Sequence, residues 1–267
     1  MSLLPPERHE RILGMLRRDR TVSVHGLAEQ LTVTRETIRR DLDQLEAAGR
    51  LKRIHGGAVA STAPSGTEHT LQQRMSEHTA QKQAIARAAL RLLPPSAGGS
   101  LIIDSGTTTE ALADLLSTSA PEDEAGGQRV LITNSVPIAH KLSGTGVADV
   151  EILGGSVRQI TGAAVGQQTI SSLSRRRADV AFIGTNGIDA AFGLSTPDTQ
   201  EAEVKTALIR AARTRVVLAD ASKLGRCSLV QFAGLKDIDV LITDAPPSRP
   251  LAQALTEAGV SVVEAAQ

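Results

Sequence analysis

Residues 34–58 read Thr-Arg-Glu-Thr-Ile-Arg-Arg-Asp-Leu-Asp-Gln-Leu-Glu-Ala-Ala-Gly-Arg-Leu-Lys-Arg-Ile-His-Gly-Gly-Ala. Ile38, Leu42 and Leu45 recur at i, i+4 and i+7, which lays one apolar stripe along a helix; Thr34 stands where a capping hydroxyl belongs and Gly49 where a C′ glycine belongs. With Ile38 at the centre of the buried face, the helical wheel turns Glu36, Thr37, Arg39, Arg40 and Asp43 outward. Beyond Gly49, Leu51 and Ile54 are expected to anchor a strand, with Lys52, Arg53 and His55 facing solvent and Gly56-Gly57 permitting a sharp reversal. Upstream, Ile12, Leu13 and Leu16 form a stripe after Pro5-Pro6, predicting a helix over residues 6–18. Leu27, Ala28 and Leu31 predict a short second helix over residues 25–31, and Thr32-Val33 makes the tight turn before the third. Helix, short helix, turn, helix and basic hairpin together describe a winged helix-turn-helix, whose third helix enters a DNA major groove.

The charge distribution supports that reading over an ordinary solvated surface. The chain is neutral as a whole, yet residues 1–57 carry 11 Lys/Arg against 8 Asp/Glu, while residues 58–267 carry 18 against 21. Arg35, Arg39, Arg40, Arg50, Lys52 and Arg53 cluster around one helix, turn and wing, where release of counterions from phosphate rewards them. Thr34, Arg35, Glu36, Thr37, Arg39 and Arg40 on the helix, with Lys52, Arg53 and His55 on the wing, are the candidate DNA contacts. There is no Trp or Tyr and only Phe182, Phe192 and Phe232, so the core must be aliphatic. The same scarcity argues against base-stacking platforms for single strands or RNA and favours duplex DNA. A lone Cys227 makes neither an internal disulfide nor a Cys-rich zinc site, and no resident metal or cofactor is expected. The start Glu7-Arg8-His9-Glu10-Arg11 is unlike a signal peptide and no apolar run approaches membrane-spanning length, so a cytoplasmic protein is expected.

Ala60-Ser61-Thr62-Ala63-Pro64-Ser65-Gly66-Thr67 has too little apolar surface to pack, which predicts a DNA-binding domain over residues 1–59, a hinge over 60–75 and a second domain over 76–267. Residues 117–128, with Pro121, three acids and Gly126-Gly127, read as an exposed loop inside that domain. From residue 81 onward short β-rich runs alternate with helical ones. Strands are predicted over 100–104, 129–133, 150–153, 180–184, 215–220, 239–243 and 260–264; helices over 82–93, 109–116, 137–142, 167–173, 201–213 and 250–257. This alternation is the mark of an α/β fold, a Rossmann-like and mainly parallel sheet with helices on both faces.

Open sheets of this kind bind ligands beyond the carboxyl ends of their strands. Asp104-Ser105-Gly106-Thr107-Thr108-Thr109 closes one strand and opens a helix, so hydroxyls and backbone N–H groups gather at the positive end of a helix dipole, where a phosphate sits readily. Thr133-Asn134-Ser135, Gly154-Gly155, Thr185-Asn186-Gly187 and Asp220-Ala221-Ser222-Lys223 end other strands. Turn chemistry explains each one alone, but their convergence on one edge favours a polar ligand pocket. Lys205 and Lys223 are the natural cations for a phosphate, and Asp104, Asp198 and Asp220 the acceptors for sugar hydroxyls.

Val33-Thr34-Arg35-Glu36-Thr37-Ile38-Arg39-Arg40-Asp41-Leu42, with Leu45-Glu46, Gly49, Leu51, Arg53 and His55-Gly56-Gly57-Ala58, resembles the signature of the DeoR family of bacterial transcriptional regulators. The resemblance continues through Asp104-Ser105-Gly106-Thr107-Thr108, Thr133-Asn134-Ser135, Gly154-Gly155, Gly193-Leu194-Ser195-Thr196, Glu201-Ala202 with Val204-Lys205, and Asp220-Ala221-Ser222-Lys223, nearly the whole chain. It implies a repressor with an N-terminal winged helix-turn-helix and a C-terminal sensor related to ribose-5-phosphate isomerase that binds a phosphorylated sugar. The segments around Asn186, Gly187, Thr196 and Asp198 resemble family members linked to fructose or hexose phosphotransferase uptake, which makes fructose 1-phosphate the first expected effector. In the isomerase a Glu-Lys pair lines the reactive end of the sugar; here the pair becomes Val204-Lys205, and Glu203 lies about 100° around the helix from Val204. The general base is therefore expected to be lost, and the chain to be a regulator rather than a sugar-phosphate isomerase with an appended DNA-binding domain. A nicotinamide-dinucleotide sensor is disfavoured because no strand is followed by the required glycine pattern. Family resemblance and operator half-site geometry imply a homo-oligomer, dimer or tetramer. If the effector binds better to a conformation in which the two winged helices are wrongly spaced for those half-sites, it weakens DNA binding by the same factor that DNA weakens its own and is an inducer; the opposite preference makes it a co-repressor.

Overall fold

A computed structural model describes residues 5–19, 21–47, 51–54, 56–60, 71–95, 98–119 and 128–266. It divides into two compact units, residues 1–67 and 68–267.

The first unit contains α1 (Pro5–Asp19), β1 (Thr21–Ser23), α2 (Val24–Leu31), α3 (Arg35–Ala47), β2 (Leu51–Ile54) and β3 (Gly57–Ala60). Its core is Ile12, Leu13 and Leu16 from α1, Leu27, Ala28 and Leu31 from α2, and Ile38, Leu42 and Leu45 from α3, joined by Val22, Leu51 and Ala58. Ser23 caps α2 by accepting from Gly26 N, and α2 stops at Thr32, whose left-handed backbone (φ 54°) sends its N–H back to Ala28. Thr34 Oγ1 accepts from Thr37 N at 3.1 Å, the expected start of α3. The wing pairs β2 antiparallel to β3, and β3 pairs in turn with β1, an unforeseen third strand of one inward side chain, Val22. Gly57 is required there, because a Cβ would stand 2.1 Å from Val22 O.

One expectation is corrected: Ile54 is 42% exposed and does not anchor the strand. Strand periodicity of two puts Arg53, not Ile54, on the side of Leu51. Gly49, Arg50 and His55, and the Lys52 side chain, lie outside the described residues.

The second unit begins with α4 (Leu71–Ser76) and α5 (Thr79–Ala89), followed by β4 (Ser100–Ile103), α6 (Thr107–Ser117), β5 (Arg129–Thr133), α7 (Val136–Leu142) and β6 (Ala148–Ile152). A hairpin of β7 (Ser156–Arg158) and β8 (Ala163–Val165) leads to α8 (Gln167–Leu173) and β9 (Ala178–Gly184). Then come β10 (Gly187–Asp189), β11 (Gly193–Thr196), α9 (Thr199–Arg210), β12 (Ala212–Leu218), β13 (Val230–Ala233), β14 (Val240–Thr243), α10 (Arg249–Glu257) and β15 (Ser261–Glu264). The seven expected strands form one parallel sheet in the order β15-β14-β12-β9-β4-β5-β6. Alternate residues feed two cores. Leu101, Ile103, Phe182, Val216 and Leu218 pack with α5, α6 and α7, while Ile102, Ala181, Ile183, Val217 and Leu241 pack with α8, α9 and α10.

From the adjacent pair β4 and β9 the chain builds outward in opposite directions, so the crevice of a doubly wound sheet opens beyond Ile103 and Gly184. Two antiparallel additions escaped the sequence reading: the β7–β8 hairpin and the small sheet β10-β11-β13. The helix expected to reach residue 213 ends at Arg210, because β12 already begins at Ala212. Of the expected hinge, residues 61–70 lie outside the described residues, and α4 starts at Leu71.

Candidate functional site

On α3 the outward face is polar as the wheel requires: Thr34, Arg35, Glu36, Arg39 and Arg40 are exposed and Thr37 is half-buried. Arg35 Nη2 lies 2.9 Å from His25 Nδ1, and Arg39 Nη1 3.3 Å from Glu36 Oε2, contacts that phosphates readily outcompete at such exposure. Arg53 behaves differently. Its Nη1 donates to Asp43 Oδ1 at 2.8 Å and to Arg39 O at 3.1 Å, and its backbone N donates to Glu46 Oε1 at 2.7 Å, so this side chain fastens the wing to α3.

Asp41, one position past Arg40, faces inward. Arg8 donates to both its oxygens, at 2.5 and 2.8 Å, and His9 Nε2 approaches at 3.0 Å. Burial pushes the Asp41 carboxyl up, but Arg8 and His9 outweigh it and hold it below the ordinary carboxylate range. This pair ties α1 to α3 and fixes the angle at which α3 is presented. Neither partner stood out in the sequence, where both look like ordinary surface charges.

In the second unit a narrow cleft lies at the crevice. Ser105, Gly106, Thr107 and Thr108 from the start of α6, Asn186 after β9, Lys205 on α9, and Asp220 and Lys223 after β12 all line it, as the strand-end reasoning expects. Gly106 takes φ 153° at the N-cap and carries no side-chain cap, which leaves the first N–H groups of α6 facing the cleft without a side-chain competitor.

The remaining expected residues stand behind this wall. Thr109 spends its hydroxyl on Gly106 O at 2.8 Å. Thr133 donates to Ile103 O at 2.6 Å, and Asn134 Oδ1 accepts from Ser105 N at 3.0 Å, so both hold the loop above β4. Gly155 and Gly187 permit close packing: a Cβ would stand 2.3 Å from Thr169 Oγ1 at the first and 2.4 Å from Arg226 O at the second. Gly154 accepts from Thr169 Oγ1 at 2.7 Å. Thr196 bonds Asn186 Oδ1 at 3.2 Å, and Asp198 caps α9 by accepting from Glu201 N at 2.9 Å. Asp104 is fully buried below the cleft, ion-paired with Lys205 and accepting from Gly184 N at 3.0 Å. Total burial raises its carboxyl despite Lys205.

The structure also brings in residues that were not among the expected ligand contacts. Glu201 lies one helical turn before Lys205, on the same face of α9, and is 4% exposed. Its Oε1 accepts from Arg158 Nη1 and from Thr161 Oγ1, each at 2.6 Å, anchoring the β7–β8 hairpin against the cleft. Burial pushes its carboxyl up, yet Lys205, Thr161 and Arg158 together keep it below its usual range. The premise that no carboxylate stands beside Lys205 is therefore corrected: Asp104 and Glu201 both do, whereas Glu203 faces a separate groove between α8 and α9. Arg74, Glu77, His78 and Lys82, from α5 and the chain just before it, form the cleft's remaining charged wall. Burial lowers the Lys82 ammonium to about 8, against the pull of Asp220. Among the described residues, Asp104 Oδ1 and Asp220 Oδ2 are buried oxygens with no hydrogen-bond partner, and Asp220 belongs to the cleft wall.

The cleft thus offers a helix N-terminus with Lys82 and Lys223 for an anion, and carboxylates and the Asn186 amide for hydroxyl groups. Among the described residues no cluster of side chains suits a metal ion, and no helix is long and apolar enough to cross a membrane.

Comparison with known proteins bears on both units. The DeoR-like helix-turn-helix domain profile matches residues 8–63, and the DeoR C terminal sensor domain profile matches residues 77–245. The HTH-type transcriptional regulator GlpR of Haloferax volcanii is 38% identical over 98% of this chain and 98% of its own. The uncharacterized HTH-type transcriptional regulator FruR of Bacillus subtilis is 35% identical over 91% of this chain and 92% of its own. The glycerol-3-phosphate regulon repressor of Escherichia coli is 32% identical, covering 94% of this chain and 95% of its own. Ribose 5-phosphate isomerase A from Neisseria gonorrhoeae is a distant structural neighbour, with 15% identity over 58% of this chain and 55% of that one and a TM-score of 0.37. These relatives are named as regulators and repressors. With a helix-turn-helix profile over one unit and a sensor profile over the other, the chain belongs to the DeoR family of transcriptional regulators.

Proposed function

We propose that this regulator is a repressor that holds operator DNA through α3 and the wing and releases it when a phosphorylated sugar occupies the cleft. The observation that carries the proposal is the cleft's two-sided chemistry. The α6 N-terminus with Lys82 and Lys223 suits a phosphate, and the unsatisfied Asp220 Oδ2 calls for a hydroxyl donor. A phosphate alone leaves Asp220 Oδ2 without a donor, and an unphosphorylated sugar leaves Lys82 and Lys223 without a bound anion. Lys205, already committed to Asp104 and Gly184 O, is a wall residue in this scheme and not the main phosphate ligand.

In the winged helix, Arg40 and the first turn of α3 read base edges, and Lys52 and His55 touch phosphates. The functional division falls at a DNA-binding domain over residues 1–59, a connection over 60–75 and a sensor over 76–267. Two or four copies bind a symmetric operator, inside the cytoplasm where DNA and phosphorylated sugars meet. Fructose 1-phosphate is the first effector to test, in keeping with the name FruR of one relative, and glycerol 3-phosphate the second, in keeping with the regulon named for another.

A thermal-shift screen tests the site. A ligand that binds only the folded protein raises its melting temperature, so a phosphorylated sugar should do so where its parent sugar and inorganic phosphate do not. A shift produced by nicotinamide dinucleotides and by none of the sugar phosphates would contradict the proposal.

A further inference from the structure

Lys82 is the one cleft lysine whose ammonium is spent on the backbone of the preceding helix. It stands on α5, 6% exposed, and its Nζ donates to the carbonyl oxygens of Arg74, in the last turn of α4, and of Glu77, the latter at 2.6 Å. The last carbonyls of a helix have no donors within the helix, so Lys82 supplies from below what the end of α4 lacks. Six-residue α4 is too short to be stable by itself, and Thr79 Oγ1 donates to Met75 O at 3.2 Å at the same end. The same side chain lines the cleft beside Asp220 and Lys223, so the group that caps α4 also faces the ligand. α4 is the first helix of the sensor unit, and the chain leading to the wing enters through it.

We propose that Lys82 reports cleft occupancy to α4: an anionic group bound at the start of α6 draws its ammonium away from the Arg74 and Glu77 carbonyls, and α4 loosens. This rests on the phosphorylated-sugar reading of the cleft. Two carbonyl dipoles and a phosphate compete for one cation, and the phosphate, carrying full charge, wins the exchange. Burial is the main cause of the low Lys82 ammonium value, and the pull of Asp220 and Glu77 does not offset it. By reciprocity, whatever tightens α4 weakens the ligand by the same factor.

Hydrogen exchange measured by mass spectrometry on the full chain tests this, with thermal shift as a separate reading of binding. Fructose 1-phosphate and glycerol 3-phosphate serve as probes. In the wild type, a probe that raises the melting temperature should speed exchange across residues 71–78 by roughly tenfold, within the range of ordinary allosteric couplings. In Lys82→Met these amides should exchange fast without ligand, and the probe should leave them unchanged. If a probe raises the wild-type melting temperature while residues 71–78 keep their exchange rates, the Lys82 proposal is overturned and the effector site stands. Acceleration persisting in Lys82→Met also overturns it. If no phosphorylated sugar raises the melting temperature, the cleft reading falls and the Lys82 proposal with it.

Discussion

The two units solve opposite problems. In the winged helix the groups offered to a partner are exposed and come from one continuous stretch, α3 and the hairpin after it, so their spacing along the chain is their spacing in space. In the sensor the groups offered to a ligand are recessed and come from six separated segments brought together only by the crossovers of a parallel sheet. The difference teaches where each unit is vulnerable. A surface reader depends on the few buried contacts that aim it, while a pocket depends on every segment that walls it.

The largest expected effect breaks the first half of that comparison. Asp41→Ala removes the carboxylate to which the buried Arg8 guanidinium donates twice, and breaking a buried pair costs about 3–5 kcal/mol. Denaturant unfolding followed by a probe in the N-terminal unit should show that loss, and operator binding should fail with it even though Asp41 does not face DNA. A loss near zero would mean that the pair does not aim α3. The pair also sets a pH dependence. Because the folded Asp41 carboxyl lies below its unfolded value, its contribution is complete above the ordinary carboxylate range near pH 4 and disappears as pH falls through the folded value.

The next effect sharpens the pocket side. Thr107→Val or Lys223→Met removes one charge-assisted hydrogen bond to the phosphate, roughly 1.5–3 kcal/mol, so about tenfold or more ligand is needed to release operator. Operator affinity without ligand should stay near wild type, because neither residue belongs to the winged helix. Equal ligand requirements in mutant and wild type would place the phosphate elsewhere.

A smaller effect separates readers from fasteners within the wing and helix. Arg40→Ala should weaken a specific operator by roughly 1–3 kcal/mol, and Lys52→Ala should weaken all duplexes alike and lower the salt slope by about one. Arg53→Ala is expected to act mainly by freeing the wing from Asp43 and Arg39, so a specific operator should suffer more than random DNA. An equal loss on both, with the salt slope lowered by one, would make Arg53 a phosphate contact after all.

Much of this contrast was legible in the sequence, and the parts that were not have physical reasons. The α3 stripe Ile38, Leu42, Leu45 and the seven apolar runs of the sheet announced themselves because burial on one or two faces forces a period. The strand β1 and the hairpin β7–β8, three residues per strand, are too short to show one. Ile54 is apolar, yet strand alternation from Leu51 turns it outward and Arg53 inward. In the sensor, strand ends pointed to Ser105, Thr107, Asp220 and Lys223, but a strand end marks only the edge, not what packs over it. Lys82 on an amphipathic helix looks like any solvated lysine until α4 is folded across it. Glu201 lies one turn before Lys205, a spacing that places both on one face, whereas the helix turns the nearer Glu203 toward another groove.

The smallest effect follows from that correction. Glu203→Gln should leave ligand response and operator affinity within about 0.5 kcal/mol of wild type, as surface substitutions away from a site do. Glu201→Gln should weaken the ligand response, since its carboxylate holds Arg158 and Thr161 at the cleft. Ligand titrations of both variants decide it, and a larger effect from Glu203 would reverse the assignment of faces on α9.

The central claim, that occupancy of the cleft by a phosphorylated sugar governs the hold of the winged helix on DNA, meets its most direct test in fluorescence anisotropy. The full chain is bound to a labelled operator and titrated with fructose 1-phosphate or glycerol 3-phosphate, and in parallel with fructose or glycerol. The account predicts that a phosphorylated compound returns the anisotropy to that of free DNA over the concentration range in which it raises the melting temperature, while its parent compound does nothing. An operator complex that survives a phosphorylated sugar at concentrations saturating the thermal shift would contradict it.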